Sequence, residues 1–190
     1  MAGPRGQTRE RILDAALALF LERGVGGTTV SDVERAVGLA AGSGSFYRHF
    51  PSKEAVVVPA FARGLARIAD QIQDERIREA GTVDTHDRTV ADLRDRLSDM
   101  RRIQPLWSFL MMERAQYPEL ERVFAEALWM GAWSIDLDDD PARPITLAAL
   151  AGFHMLSLLE GSPYRDVDPD AFIDALVALT TRAVEAGRPT

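Results

Sequence analysis

The stretch Ser43-Gly44-Ser45-Phe46-Tyr47-Arg48-His49-Phe50, followed at once by Pro51-Ser52-Lys53-Glu54, constrains this chain more than any other. Small residues lead, aromatics follow, and Arg48, His49 and Lys53 gather at the end. A helix this short cannot hold itself together in water, so its aromatic side must be anchored on neighbouring elements. That leaves small residues and bases to face outward, the layout of a short helix offered to a DNA groove with phosphate on its flanks.

The residues upstream supply the anchor. From Thr8 to Arg23, Ile12, Ala15, Ala16, Leu19 and Phe20 follow the i, i+3, i+4, i+7, i+8 spacing of a helix with one buried stripe. Gly24 is placed to end it, after a loose tail at residues 1–8. Thr28-Thr29 offers a hydroxyl cap for a second helix, with Val30, Val33, Ala36 and Val37 inward and Gly38 as the stop. Leu39 to Gly42 is a small-residue turn, and Ser43 can cap a third short helix reaching His49. Three short helices with a glycine-containing turn between the second and third make a helix-turn-helix unit. An unspecialised bundle is the alternative, but the third helix carries small polar residues where a bundle needs core.

Charge distribution agrees with this. The whole chain is −7, yet residues 1–53 hold seven bases against five acids, a net +2 that leaves −9 on the remainder. Phosphate attraction is local at physiological salt, so a mildly basic head on an acidic body can still meet nucleic acid.

Thr28-Thr29-Val30, Val33, Gly38-Leu39 and Phe46-Tyr47-Arg48-His49-Phe50-Pro51-Ser52-Lys53-Glu54-Ala55 together resemble the DNA-binding domain of the TetR family of transcriptional regulators. The resemblance covers about residues 8–60, and its Tyr-x-His-Phe-x-Ser-Lys-Glu ending is the most specific part. One departure stands out: from Gly38 to Tyr47 the chain is two residues longer than the family's usual spacing. The resemblance implies an all-α fold of about nine helices. Residues 1–52 would form the helix-turn-helix domain, and residues 53–190 a helical domain for effector binding and dimerisation.

Base reading falls to the start of the third helix. Gly44 permits close backbone approach, while Ser43 and Ser45 can donate to or accept from almost any base edge. Arg48 is the expected discriminator, because its fork can take guanine O6 and N7 together; phosphate is its other reading. Tyr47 offers a ring to a thymine methyl and a hydroxyl to phosphate. His49 and Lys53, the chain's only lysine, resemble the family's backbone-anchoring pair. Thr28 and Thr29 are expected to present backbone N–H groups to phosphate, and Phe46 and Phe50 to pack beneath the helix.

Beyond Ser52 a long helix is expected to Glu79, with Pro59 kinking it near Ala55. Val90 to Met100 marks another helix; Pro105 restarts one through Tyr117, Pro118 opens the next, and residues 134–143 read as an acidic loop. The last two helices run from Pro144 to Leu159 and from Asp168 or Pro169 to Ala186. Both are apolar on more than one side, so a second subunit is their natural cover. Leu147, Ala151, Leu158, Phe172, Leu176 and Leu179 are the expected homodimer interface, in keeping with the family's dimer. Trp107, Met111, Met112, Phe124, Trp129, Trp133 and His154 could line an apolar effector pocket or form ordinary core. Gln104, Glu113, Arg114 and Gln116 are the polar groups nearest to them in sequence.

Other classes fit poorly. The chain has no cysteine, which excludes thiolate chemistry and suits a reducing cytoplasm. His49, His86 and His154 lack metal-ligand spacing, Gly42 to Ser45 is not a nucleophile elbow, and no cofactor motif is present. The apolar run Ile12 to Leu21 is broken by Asp14 and closed by Glu22-Arg23, so it reads as an amphipathic helix rather than a leader or membrane span. The expectation is a ligand-responsive repressor that binds a palindromic double-stranded operator as a homodimer and is released by a small, largely apolar effector. The rival is a binding or adaptor protein of the same fold without effector-controlled DNA binding.

Overall fold

A computed structural model describes residues 4–40, 42, 44–79, 85–130 and 142–186. Among these, seven α-helices and two 3-10 turns occur and no strand. The helices are α1 (Pro4–Arg23), α2 (Val30–Ala36), α3 (Glu54–Glu79), α4 (Thr85–Glu113), α5 (Glu119–Met130), α6 (Ala142–Ser157) and α7 (Pro169–Ala186). One 3-10 turn spans Phe46–Arg48 and the other Pro163–Asp166.

The all-α expectation holds, and the count of about nine is corrected to seven α-helices among the described residues. Two local causes account for the difference. Pro105 does not restart a helix but lies inside α4, exposed to solvent, where water can take the backbone carbonyl that proline leaves free. Around it Ile103, Leu106, Phe109 and Leu110 keep one buried stripe, so packing carries the helix past the proline. The expected third helix contracts to the single turn Phe46–Arg48. α1 also starts earlier than expected, with Pro4 as its first residue, a position that has no helical partner for the missing N–H. α3 runs on through Pro59.

The chain divides into two compact units. Unit 1 is Met1–Gln73 with Ile103–Trp133, and unit 2 is Asp74–Arg102 with Ser134–Thr190. In unit 1 the stripes of α1, α2 and α3 meet α4 and α5 around Phe20, Phe61, Phe109 and Phe124. Phe109 lies parallel to Phe20 at 6.4 Å, and Phe61 lies 6.0 Å from Phe109 and 6.4 Å from Phe124. Arg63 of α3 holds Asp14 of α1 through two hydrogen bonds, 2.8 and 3.1 Å long, fixing the rotation of one helix on the other. In unit 2, Leu93 and Leu97 of α4 pack on Leu150 and Phe153 of α6 and on Ile173 and Val177 of α7. Phe153 and Phe172 stack at 4.2 Å.

Candidate nucleic-acid interface

Helix α2 is positioned first. Thr29 caps it: its Oγ1 accepts from the Asp32 N–H at 3.2 Å, while the Asp32 carboxylate accepts from the Thr29 N–H at 3.0 Å and from its hydroxyl at 2.6 Å. The Thr29 hydroxyl holds the Asp32 carboxyl below its ordinary value, followed by the Thr29 backbone and the nearby Arg35 guanidinium. Thr28 is buried, its hydroxyl donating to Gly24 O at 3.0 Å and its N–H to Val25 O at 3.3 Å. The backbone N–H groups of Thr28 and Thr29, expected to face phosphate, are therefore both bonded inside the protein. At the other end, Leu39 N–H donates to Glu34 O and Gly38 N–H to Arg35 O, a Schellman closure.

The turn after α2 depends on glycine. Gly42 and Gly44 have φ of +75° and +73°, in the left-handed region where other residues are strained. Between them and Phe46, Glu34 supplies the fixed point. It is 1% exposed, and its two carboxylate oxygens accept from Gly42 N–H at 2.7 Å and Phe46 N–H at 3.1 Å. Ser43 lies outside the described residues, and Ser45 is half-buried just before the 3-10 turn.

Phe46–Arg48 then sorts its side chains as the sequence suggested. Phe46 is buried and packs at 5.8 Å on Phe50, itself buried beneath the guanidinium of Arg9 at 4.8 Å. Tyr47 is 57% exposed, its ring set edge-on to Phe46, and Arg48 is exposed beside it. His49 is half-buried. The outward pair Tyr47 and Arg48 thus stands on a wedge whose base is fixed by three aromatic contacts and a buried carboxylate.

Lys53 does something the sequence did not reveal. Its ammonium donates to Val25 O at 2.7 Å and Thr28 O at 2.8 Å, in the turn between α1 and α2. Two of its three donors are committed there. The same turn is gripped from the other side, because Val25 N–H donates to Glu113 Oε1 at 3.3 Å from the last residue of α4. Glu113, named from sequence only as a polar neighbour of a pocket, is thus tied to the reading head.

The described residues proposed for a pocket are divided between the two units. Trp107 and Phe124 meet in unit 1 at 5.2 Å, within its aromatic core. Trp107 Nε1 and Tyr117 Oη are buried there without a hydrogen-bond partner among the described residues, and burial pushes the Tyr117 phenol up, with Glu54 and Glu113 adding to the effect. Met111 and Met112 are exposed. His154 belongs to unit 2, buried with Nε2 unpartnered among the described residues; burial lowers its pKa, and Arg101 adds to the shift. The side chain of Trp129 and all of Trp133 lie outside the described residues.

Of the residues expected at a dimer interface, Leu158 and Leu179 are exposed, at 43% and 64%, while Leu147, Ala151 and Phe172 are half-buried. Leu176 differs, being buried against the α4 and α6 side chains of its own chain. Ile145, Met155, Leu156 and Leu159 of α6 and the segment after it add exposed apolar surface.

Comparison with known proteins finds that residues 12–58 match the model of the family described as bacterial regulatory proteins, tetR family. Over 49 residues the chain is 51% identical to the HTH-type transcriptional repressor KstR2 of Rhodococcus jostii (strain RHA1), a match covering 26% of this chain and 23% of that repressor. The chain therefore spans less than a quarter of the length of this curated relative. Over nearly its whole length the fold resembles solved structures. One, described as a TetR-family transcriptional regulator from Mesorhizobium loti MAFF303099, has a TM-score of 0.65 at 15% identity, covering 94% of this chain and 98% of that one. Another, SCO7518 from Streptomyces coelicolor A3(2), has a TM-score of 0.65 at 24% identity, covering 92% and 99%.

Proposed function

We propose that the chain, whose residues 12–58 match the tetR family of bacterial regulatory proteins, is a member of that family and acts as a cytoplasmic, homodimeric repressor that reads a palindromic operator and is released by a small effector. The observation that carries the reading is the wedge at Phe46–Arg48: Phe46 and Phe50 buried behind, Tyr47 and Arg48 exposed in front. Arg48 is assigned to base edges, Tyr47 and His49 to phosphate and groove wall, and Gly44 and Ser45 to close approach of the backbone. Ser43 keeps its assignment at the head of the turn. Thr28, Thr29 and Lys53 serve mainly by fixing α2.

Dimerisation is assigned to the exposed apolar residues of α6, of the segment that follows it and of α7, with Leu158 and Leu179 foremost and Leu147, Ala151 and Phe172 at their margins. Two-fold pairing of identical heads gives half-sites about one helical turn, or a multiple, apart. The effector is assigned to the body, and Trp107 and Phe124 are its best-supported contacts. The unpartnered Trp107 Nε1 and Tyr117 Oη favour an apolar molecule that also carries a hydrogen-bond acceptor. Such a ligand acts by binding one dimer spacing more tightly than the other.

Selection of duplexes from a randomised pool tests the reading. The expected result is enrichment of an inverted repeat, bound by two chains with an affinity that falls steeply with salt. Enrichment of nothing, or of a non-repeated site bound by one chain, refutes it.

A further inference from the structure

The sequence departs from the family's usual spacing by two extra residues between Gly38 and Tyr47, and the structure places one unusual group beneath that longer turn. Glu34 lies on the buried stripe of α2, at the i+4 position from Val30 and beside Val33. An apolar residue is the ordinary occupant of such a place, because a carboxylate loses its water there and must find donors. Glu34 finds them in the turn itself. Its oxygens accept from the N–H groups of Gly42 and Phe46, and its own backbone carbonyl accepts from Leu39 at 2.8 Å. One residue therefore holds the beginning, middle and end of the connection between α2 and the reading turn.

We infer that Glu34 is a positioning residue for DNA recognition: its carboxylate replaces the backbone pairing that a longer turn forgoes, and so fixes the angle at which Tyr47 and Arg48 are presented. Two features make the pairing mutual. The longer turn includes a left-handed glycine at position 42, whose N–H would lose its carboxylate partner if Glu34 were apolar. The carboxylate in turn would be buried beside apolar valines if the turn were short. Glu34 is buried, so it acts through the Phe46 backbone rather than on a base or phosphate.

This inference rests on the DNA-binding function proposed above, and the experiment separates the two. The probes are a duplex that the unaltered chain selects from a random pool and a scrambled duplex of equal length. Glu34→Ala is made in the full chain and in a chain lacking Gly42 and Ser43. In the full chain the substitution is expected to lower affinity for the selected duplex about tenfold more than for the scrambled one, since the buried Phe46 N–H and the Gly42 N–H both lose their acceptor. In the shortened chain the same substitution is expected to lower the ratio less, by about threefold, because the Gly42 donor is gone and only the Phe46 N–H loses its acceptor. An equal loss of selectivity in both backgrounds overturns the link to turn length. No loss in the full chain overturns the positioning role.

Glu34→Gln guards against a shortened chain that does not fold. It keeps the side-chain volume and one acceptor but turns an amide N–H toward a backbone N–H. Selectivity is expected to fall while helix content and melting temperature are retained; unchanged selectivity at retained stability refutes the inference. If the unaltered chain selects no sequence at all, the proposed function itself fails.

Discussion

Replacing Lys53 with Met removes an ammonium while keeping most of its apolar stem, and the partners of that ammonium set the size of the effect. The Val25 and Thr28 carbonyls lose donors at 2.7 and 2.8 Å, and both residues are buried, so water cannot fully replace them. A hydrogen bond to a charged group contributes about 1.5–3 kcal/mol, and the half-buried position of Lys53 reduces the pair to roughly 2–3 kcal/mol in total. For a chain of this size that lowers the melting temperature by roughly 4–12 °C. The loss falls on the turn that leads into α2, so DNA affinity falls with it. The informative assay is the salt dependence of binding, measured beside the thermal melt. Each phosphate contact contributes about 0.9 to the slope of log affinity against log salt. Lys53→Met is expected to lower stability and affinity while leaving that slope unchanged. A slope reduced by about 0.9 with an unchanged melting temperature would refute the reasoning and return Lys53 to the role of phosphate anchor.

Other substitutions separate the remaining assignments. Arg48→Ala is expected to flatten preference at one base pair per half-site by about 1–3 kcal/mol in a quantitative selection, with little change in melting temperature; uniform loss at every position assigns Arg48 to phosphate instead. Leu158→Glu with Leu179→Glu, both exposed within the chain, is expected to give a folded monomer by analytical ultracentrifugation and abolish tight operator binding; a persistent dimer removes α6 and α7 from the interface. His154, whose pKa is lowered on folding by burial and then by Arg101, makes the unfolded chain the stronger proton binder. Stability is thus expected to fall as pH drops below 6.5 toward the lowered value, and His154→Leu to remove that slope in thermal melts across the range.

Much of unit 1 was legible from periodicity, because the apolar stripes of α1 and α3 are long enough to average out single exceptions. Phe46 and Phe50 as base and Tyr47 and Arg48 as face were also legible, since aromatics spaced by four residues share one side of a helical turn. What escaped was tertiary. Pro105 looked like a helix start because local rules stop helices at proline, yet its exposed position let the buried stripe of α4 continue. The Thr28 and Thr29 bonds are local instead: their N–H groups are taken up three residues away, by Val25 O and the Asp32 carboxylate. Glu34 did leave a signal. A charged residue on an otherwise valine stripe, eight positions before a left-handed glycine, marks a carboxylate that must be satisfied by backbone. Glu113 left none, because its partner Val25 lies 88 residues away.

The central claim is that the exposed turn Phe46–Arg48 enters DNA. A photo-crosslinking phenylalanine analogue at position 47, irradiated on the selected duplex, tests it most directly. The prediction is two crosslinks, placed symmetrically about the centre of the inverted repeat and lost on the scrambled duplex. Crosslinks scattered along the duplex, or none while the same analogue at another α2 or α3 surface position reacts, would contradict it.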